Sequence, residues 1–221
     1  MRKKPFREIP FLLSAVLSFA FAVAAQQAGS KPFKILILGD SLTEGLGVDK
    51  EDAFPAKLDA KLKKWREGIQ VINGGSSGST SASGLRRLKW YEKAQPDLVL
   101  LALGSNDGLR GMKVEETRKN VEAALLYCQG KHWQVVLAGL QVPPNYGPEY
   151  AGAFKKIYPD LAARYKVPIV GFLLEGVAGE AGLNQADGIH PNERGHERIA
   201  DNLFRFFQTL LSVPGAKPAA G

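Results

Sequence analysis

The sequence predicts an α/β protein, a parallel sheet with helices on both faces. Three observations carry this reading. Short apolar runs rich in Ile, Leu and Val recur along the chain, and they are continuous rather than alternating, as in strands buried on both sides. Segments with apolar residues at helical spacing separate them. Gly- and Ser-rich loops follow the runs, where a strand turns towards a helix.

Residues 34–38 form the first strand and end in Gly39-Asp40-Ser41-Leu42. Residues 53–66 read as a helix with Leu58, Leu62 and Trp65 on one face. A short strand, 70–72, precedes a Gly/Ser loop over 73–79. A helix over 80–93 turns Leu85 and Leu88 inward. Pro96 breaks the chain before the apolar strand 97–103, which ends in Gly104-Ser105-Asn106-Asp107. Val121, Leu125 and Cys128 mark a helix over 114–129. Strand 134–140 leads through Pro143-Pro144-Asn145-Tyr146-Gly147 to a helix from about 150 to 165. Strand 168–171 and a helix over 192–211 complete one domain, residues 34–212, without internal repeats.

The chain opens on the basic stretch Arg2-Lys3-Lys4-Pro5-Phe6-Arg7. An apolar run from Phe11 to Ala25 follows, broken only by Ser14 and Ser18. Ala22-Val23-Ala24 supplies the small residues a signal peptidase reads, so residues 1–25 are expected to be a secretory signal peptide and 26–33 a linker. The alternative, an uncleaved anchor, is disfavoured because a span needs about 20 apolar residues. The protein is therefore expected to be secreted or periplasmic. Residues 213–221, rich in Pro, Ala and Gly, are expected to form a flexible tail.

Of the formal charge of +7, Arg2, Lys3, Lys4 and Arg7 against Glu8 account for +3, leaving +4. Lys57, Lys61, Lys63, Lys64 and Arg66 crowd one predicted helix. The ordinary reading is a solvated face. No nucleic-acid partner is expected, whereas weak association with anionic lipid surfaces is. Cys128 is the single cysteine, which excludes an intrachain disulfide, and its place in a helix suits a small buried apolar residue. A monomer is expected.

In such sheets ligands bind beyond the carboxyl ends of the strands, where Ser41, the 73–79 loop and the 104–107 loop all fall. A serine at the exit of a buried strand sits on a rigid element, but its hydroxyl is a weak nucleophile until a base takes its proton. The chain has three histidines. His132 belongs to a helix-to-strand junction at the opposite end of the sheet, and His196 to the last helix. His190 stands in a loop three residues after Asp187, a spacing that lets a local turn bring the carboxylate to the imidazole. Ser41, His190 and Asp187 thus read as nucleophile, base and acid. Candidate oxyanion donors are the backbone N–H groups of Ser41 and Gly78 and the side-chain amide of Asn106. Taken singly, Gly78 and Asn106 also fit ordinary turn chemistry.

The blocks Gly39-Asp40-Ser41-Leu42, Gly78, Gly104-Ser105-Asn106-Asp107 and Asp187-Gly188-Ile189-His190 resemble, in order, those of the SGNH/GDSL hydrolases. Asn106-Asp107-Gly108-Leu109-Arg110-Gly111, Pro144-Asn145-Tyr146-Gly147, Ile157-Tyr158-Pro159 and Gly188-Ile189-His190-Pro191-Asn192 look like the bacterial periplasmic acyl-CoA thioesterase I/lysophospholipase/arylesterase group. The resemblance covers about 34–210. It implies a flavodoxin-like three-layer α/β/α sandwich and esterase or thioesterase activity. No cofactor and no metal are expected. It assigns Ser41, Asp187 and His190 to the triad and Ser41, Gly78 and Asn106 to the oxyanion hole. Ser105 stands where relatives often carry Gly, and Ser79 where they often carry Asp.

Ser41 lacks the Gly-x-Ser-x-Gly elbow of the α/β-hydrolases, and Gly39, Gly45 and Gly47 lack the dinucleotide-binding spacing. Asp40 and Asp107 are expected to hold their own turns. Leu109, Pro143 and Tyr146, with Met112, Val142 and Pro144, lie in loops that suit an acyl chain or aryl group, or equally seal the edge of the core. The leading reading is a serine esterase/thioesterase that hydrolyses acyl ester or thioester bonds, in aryl esters, acyl-CoA or lysophospholipid-type substrates, through an acyl-enzyme on Ser41. The alternatives are a carbohydrate O-deacetylase on the same triad and a non-catalytic lipid-binding relative.

Overall fold

Central strands form where the chain is most continuously apolar. In the computed structural model, which describes residues 31–212, Ile35 to Leu38 of β1 (Phe33–Gly39) and Leu98 to Leu101 of β3 (Leu98–Ala102) are fully buried. Each such side chain contributes roughly 1.5–3 kcal/mol of transfer free energy. They pair with each other at the middle of a five-stranded parallel sheet. β2 (Ile69–Gly74) flanks β1, and β4 (Gln134–Gly139) and β5 (Ile169–Phe172) extend the other side, in the order β2-β1-β3-β4-β5. The predicted signal peptide and tail and most of the linker lie outside the described residues.

Helices cover both faces, as expected of an α/β sandwich. α1 (Ser41–Glu44) follows β1, and α2 (Phe54–Trp65) packs on β2 and on the last helix, α7 (Glu193–Ser212). On the other side α3 (Gly84–Tyr91) meets α5 (Val114–Gly130), and α5 meets α6 (Pro148–Tyr165); α4 (Ser105–Leu109) is a short turn after β3. α6 runs through Pro159, which removes one helix bond. Burial of Phe154, Ile157, Tyr158 and Leu161 holds it together.

Three sequence expectations change. The helix expected over 80–93 is broken into a 3₁₀ turn (Ser81–Ser83), α3 and a second 3₁₀ turn (Glu92–Ala94). Its start is bent because Ser81 donates its N–H to Asp107 Oδ2 at 2.8 Å and its hydroxyl to Oδ1. The loops expected after the first and third strands each wind into a helical turn, α1 and α4. The basic cluster on α2 is largely paired. Lys57 meets Asp52 and Glu197, Lys61 meets Glu197 and Asp201, and Lys63 meets Asp59. Cys128 is buried as expected, and burial pushes its thiol up to about 12, so it is inert as a nucleophile.

α2 begins without a side-chain cap of its own. His196 of α7 supplies one across the fold: Phe54 N donates to His196 Nδ1 at 3.2 Å, and the two rings stack. The imidazole must stay neutral to accept. Burial, assisted by Lys57 and partly offset by Asp52, lowers its pKa to about 4. The unfolded chain protonates this group near pH 6.5, so it binds more protons than the native state between about 6.5 and 4. Stability is therefore expected to fall as pH drops through that window, by at most about 1.4 kcal/mol per unit from this group. His196→Gln keeps an acceptor without titrating. Melting temperatures from pH 7 to 4 should fall less steeply for that variant than for wild type, and parallel curves would refute the assignment.

The described chain begins and ends at one edge of the sheet. Phe33 N donates to Gly68 O at 2.6 Å, and Arg66 Nη1 to Leu211 O at 3.3 Å. Arg66 and Gly68 lie in the turn from α2 into β2, at the amino ends of the strands.

Candidate active site

The sheet order reverses between β1 and β3, and in open parallel sheets that crevice, at the carboxyl ends, is where ligands bind. Gly39 and Ala102 are register partners, so the loops they feed emerge side by side.

Asp40 shapes the first loop. Its Oδ1 accepts from Leu42 N at 3.1 Å, and its backbone carbonyl accepts from Thr43 N and Glu44 N. These bonds take up three N–H groups of the α1 turn, and the Ser41 N–H is not among them. Asp40 is 1% exposed, and burial raises its pKa. The Leu42 N–H works in the opposite direction, favouring its charged form.

The second loop is shaped by Gly104, whose φ of +123° excludes other residues, and a Cβ there would lie 2.5 Å from the Tyr158 hydroxyl. α4 follows and carries Asn106. Asp107, expected to hold its own loop, is fully buried and reaches out of it, accepting from Ser81 and, at 3.3 Å, from Thr117 Oγ1.

The loop after β2 is gripped from both neighbours. Glu44 Oε2 accepts from the Ser77 N–H at 2.6 Å and from the Ser77 hydroxyl. Asn106 Nδ2 donates to Ser79 O at 3.0 Å, and Arg110 Nη2 to Gly78 O at 3.2 Å. Gly78 sits between these ties in the left-handed region, φ +72°.

The loop before α7 closes on Ser41. His190 Nε2 lies 2.9 Å from Ser41 Oγ, and His190 Nδ1 lies 2.6 Å from Asp187 Oδ2. Asp187 Oδ1 also accepts from Ile189 N at 2.9 Å and His190 N at 3.0 Å, which is the local turn the three-residue spacing allows. These bonds, the imidazole first, lower the Asp187 pKa to about 2. The carboxylate is thus ionised at neutral pH and holds the proton on Nδ1, leaving Nε2 to accept from the serine. His132 is exposed at the turn from α5 into β4, at the far edge of the sheet.

A cavity of about 460 Å³ opens beside this pair, within the usual range for small-molecule sites. Ser41, Asn106, Leu109, Pro143 and His190 line it, together with Val142 and Pro144. Asp187, Gly78 and Tyr146 are not among its lining residues. Tyr146 instead donates its hydroxyl to Leu109 O at 2.6 Å and packs against Tyr150, and Met112 offers its carbonyl to Tyr150 at 2.8 Å. Both brace the rim. The sequence reading missed Phe172, Leu174, Ala178 and Gly179, which close the apolar end. Phe172 ends β5 and the others follow it, so the carboxyl-end rule applied to the fifth strand points to them.

Residues 37–198 match the GDSL-like Lipase/Acylhydrolase family. The chain belongs to this family. Esterase TesA of Pseudomonas aeruginosa is 39% identical over 201 residues, 90% of this chain and 98% of that protein. A second relative, thioesterase 1/protease 1/lysophospholipase L1 of Escherichia coli K12, is 37% identical over 92% of this chain and 93% of its own length. Among solved structures, the psychrotrophic esterase EstA from Pseudoalteromonas sp., inhibited by monoethylphosphonate, superposes with a TM-score of 0.78 at 32% identity, covering 82% of this chain and all of EstA.

Proposed function

We infer that this protein is a serine hydrolase of acyl esters and thioesters, working through an acyl-enzyme on Ser41. The observation that carries the reading is the continuous relay from Ser41 Oγ through His190 to Asp187, at 2.9 and 2.6 Å, opening on an apolar cavity. The names of the relatives, esterase and thioesterase, point the same way.

In this reading Ser41 Oγ attacks the acyl carbon while His190 Nε2 takes its proton, and Asp187 stabilises the imidazolium. The tetrahedral oxyanion receives the N–H groups of Ser41, Gly78 and Asn106. Collapse breaks the bond to the alcohol or thiol, which leaves with the proton from His190. Water then attacks the acyl-enzyme with His190 again as base, releasing the acid and free Ser41.

Asn106 can serve two masters because its amide carries two N–H groups. One is held by Ser79 O, and the other is assigned to the oxyanion. Asn106→Ala should lower kcat by roughly 100- to 1,000-fold with little change in KM, because the bond strengthens mainly in the transition state. Asn106→Asp, which puts a carboxylate against the same charge, should be no better. A normal kcat in Asn106→Ala, with only a lower melting temperature from the lost Ser79 bond, would remove Asn106 from the oxyanion hole.

Leu109, Val142, Pro143, Pro144, Phe172 and Leu174 make the cavity hydrocarbon-like, which suits an acyl chain. A panel of p-nitrophenyl esters from acetate to palmitate tests this. Turnover should extend well beyond acetate, and an enzyme confined to acetate would be the carbohydrate O-deacetylase instead. We further propose export through the signal peptide of residues 1–25, supported by its basic and apolar segments, and action as a monomer, supported by the small number of large apolar side chains exposed among the described residues, Leu46, Trp90, Leu126 and Ile189. Attraction to anionic lipid gains little from α2, where Lys57, Lys61 and Lys63 are spent on carboxylates.

A further inference from the structure

Asp187 and His190 ride on the loop between the 3₁₀ turn Ala181–Leu183 and α7. The loop folds onto its own base. Asn184 and Pro191 form an isolated antiparallel bridge, and Asn184 Nδ2 donates to Val177 O at 2.6 Å and Glu180 O at 2.9 Å. Those bonds fix the loop's shape but do not tie it to the segment carrying Ser41.

Gln185 makes that tie. Its Nε2 donates to Leu46 O at 2.7 Å and to Pro191 O at 2.9 Å, so both amide hydrogens are used. Its backbone N donates to His190 O at 2.8 Å, and its carbonyl accepts from Gly188 N at 2.9 Å. Leu46 N in turn donates to Ser41 O at 3.1 Å. A short hydrogen-bonded path thus runs from the Ser41 backbone through Leu46 and Gln185 to the His190 backbone. Residue 47 leaves the passage open: a Cβ on Gly47 would lie 2.1 Å from Gln185 Oε1.

We propose that Gln185 is a positioning residue for proton transfer between Ser41 and His190, its amide setting the separation of Oγ and Nε2. This rests on the reading of Ser41 as nucleophile and His190 as base. Proton transfer needs the two atoms within about 2.6–3.2 Å, and a misplacement of about 1 Å can cost about 100-fold in rate. Both acceptors of the Gln185 amide are backbone carbonyls, so only a donor satisfies them. Methionine matches the length of the side chain without supplying one.

The test measures kcat, KM and melting temperature on p-nitrophenyl butyrate, well below the lowest melting point, for wild type, Gln185→Ala, Gln185→Met and Gly47→Ala, with Ser41→Ala as control. The inactivation rate by a fluorophosphonate is measured alongside. Both Gln185 variants should lose roughly 10- to 100-fold in kcat with KM little changed, and inactivation should slow in parallel. Gly47→Ala, which pushes the amide aside and also strains a backbone held at φ +84°, should lose at least as much activity. A Gln185→Met variant with wild-type kcat would show that the side chain only fills space and would overturn the proposal. If Gln185→Ala fails to fold, Gln185→Met decides. Activity surviving in Ser41→Ala would instead sink the underlying reading, whereas an inactive Ser41→Ala beside unimpaired Gln185 variants would sink this inference alone.

Discussion

Ser41→Ala is expected to abolish ester hydrolysis, lowering kcat by roughly 10⁴-fold or more, while the melting temperature barely moves. The two halves have separate causes. The rate collapses because no acyl-enzyme can form without the hydroxyl. The fold persists because the α1 turn is capped by Asp40 rather than by Ser41, and the hydroxyl's bond to His190 is worth only about 1 kcal/mol. A fluorophosphonate should label the wild-type protein at Ser41 and leave the variant unmarked. The inhibition of EstA by monoethylphosphonate makes that reagent class a reasonable probe. Near-normal turnover by Ser41→Ala would end the assignment.

His190→Ala should cost about as much, and adding it to Ser41→Ala should cost almost nothing more. In the proposed mechanism the two residues, 2.9 Å apart, share one proton transfer, and groups that act as a unit lose their contribution together. Asp187→Ala should be milder, because an imidazole without its carboxylate can still accept a proton, only less well oriented. Kinetics on the single and double variants settle this, and losses from Ser41 and His190 that multiply would mean they serve different steps. Protonation of Asp187 should not limit activity at mildly acidic pH, since its partners hold its pKa down to about 2. Its contribution to stability, small because the carboxylate is 45% exposed, is present above about pH 4 and lost as pH falls towards 2.

What the sequence made legible follows the range of the forces involved. β1 and β3 announce themselves through unbroken apolar runs, and the spacing of Asp187 and His190 encodes its own turn; each is decided within a few residues. The break before α3 is not local. It depends on Asp107 bonding Ser81 across 26 positions, which periodicity does not report. The same holds for Tyr146, an aromatic in the expected loop whose hydroxyl turns out to brace Leu109 O. His196 looked like one more residue of the last helix, and only the approach of Phe54 N makes it a cap. Ser41, Asn106 and His190 could be named from their blocks, but the Glu44–Ser77 and Gln185–Leu46 ties could not, because nothing in either segment names its partner.

The meeting of Phe33 and Leu211 around Arg66 and Gly68 gives the molecule a handle and a working end. A fusion partner, an affinity tag or a resin joined at either end of the domain attaches at the amino ends of the strands, with the length of the strands between it and the cleft. Immobilised through those ends, the enzyme presents its cavity to the surrounding liquid, and bulky substrates reach Ser41 without passing the support. Attachment through a residue introduced on the 73–79 or 104–112 loops would do the reverse and throttle access.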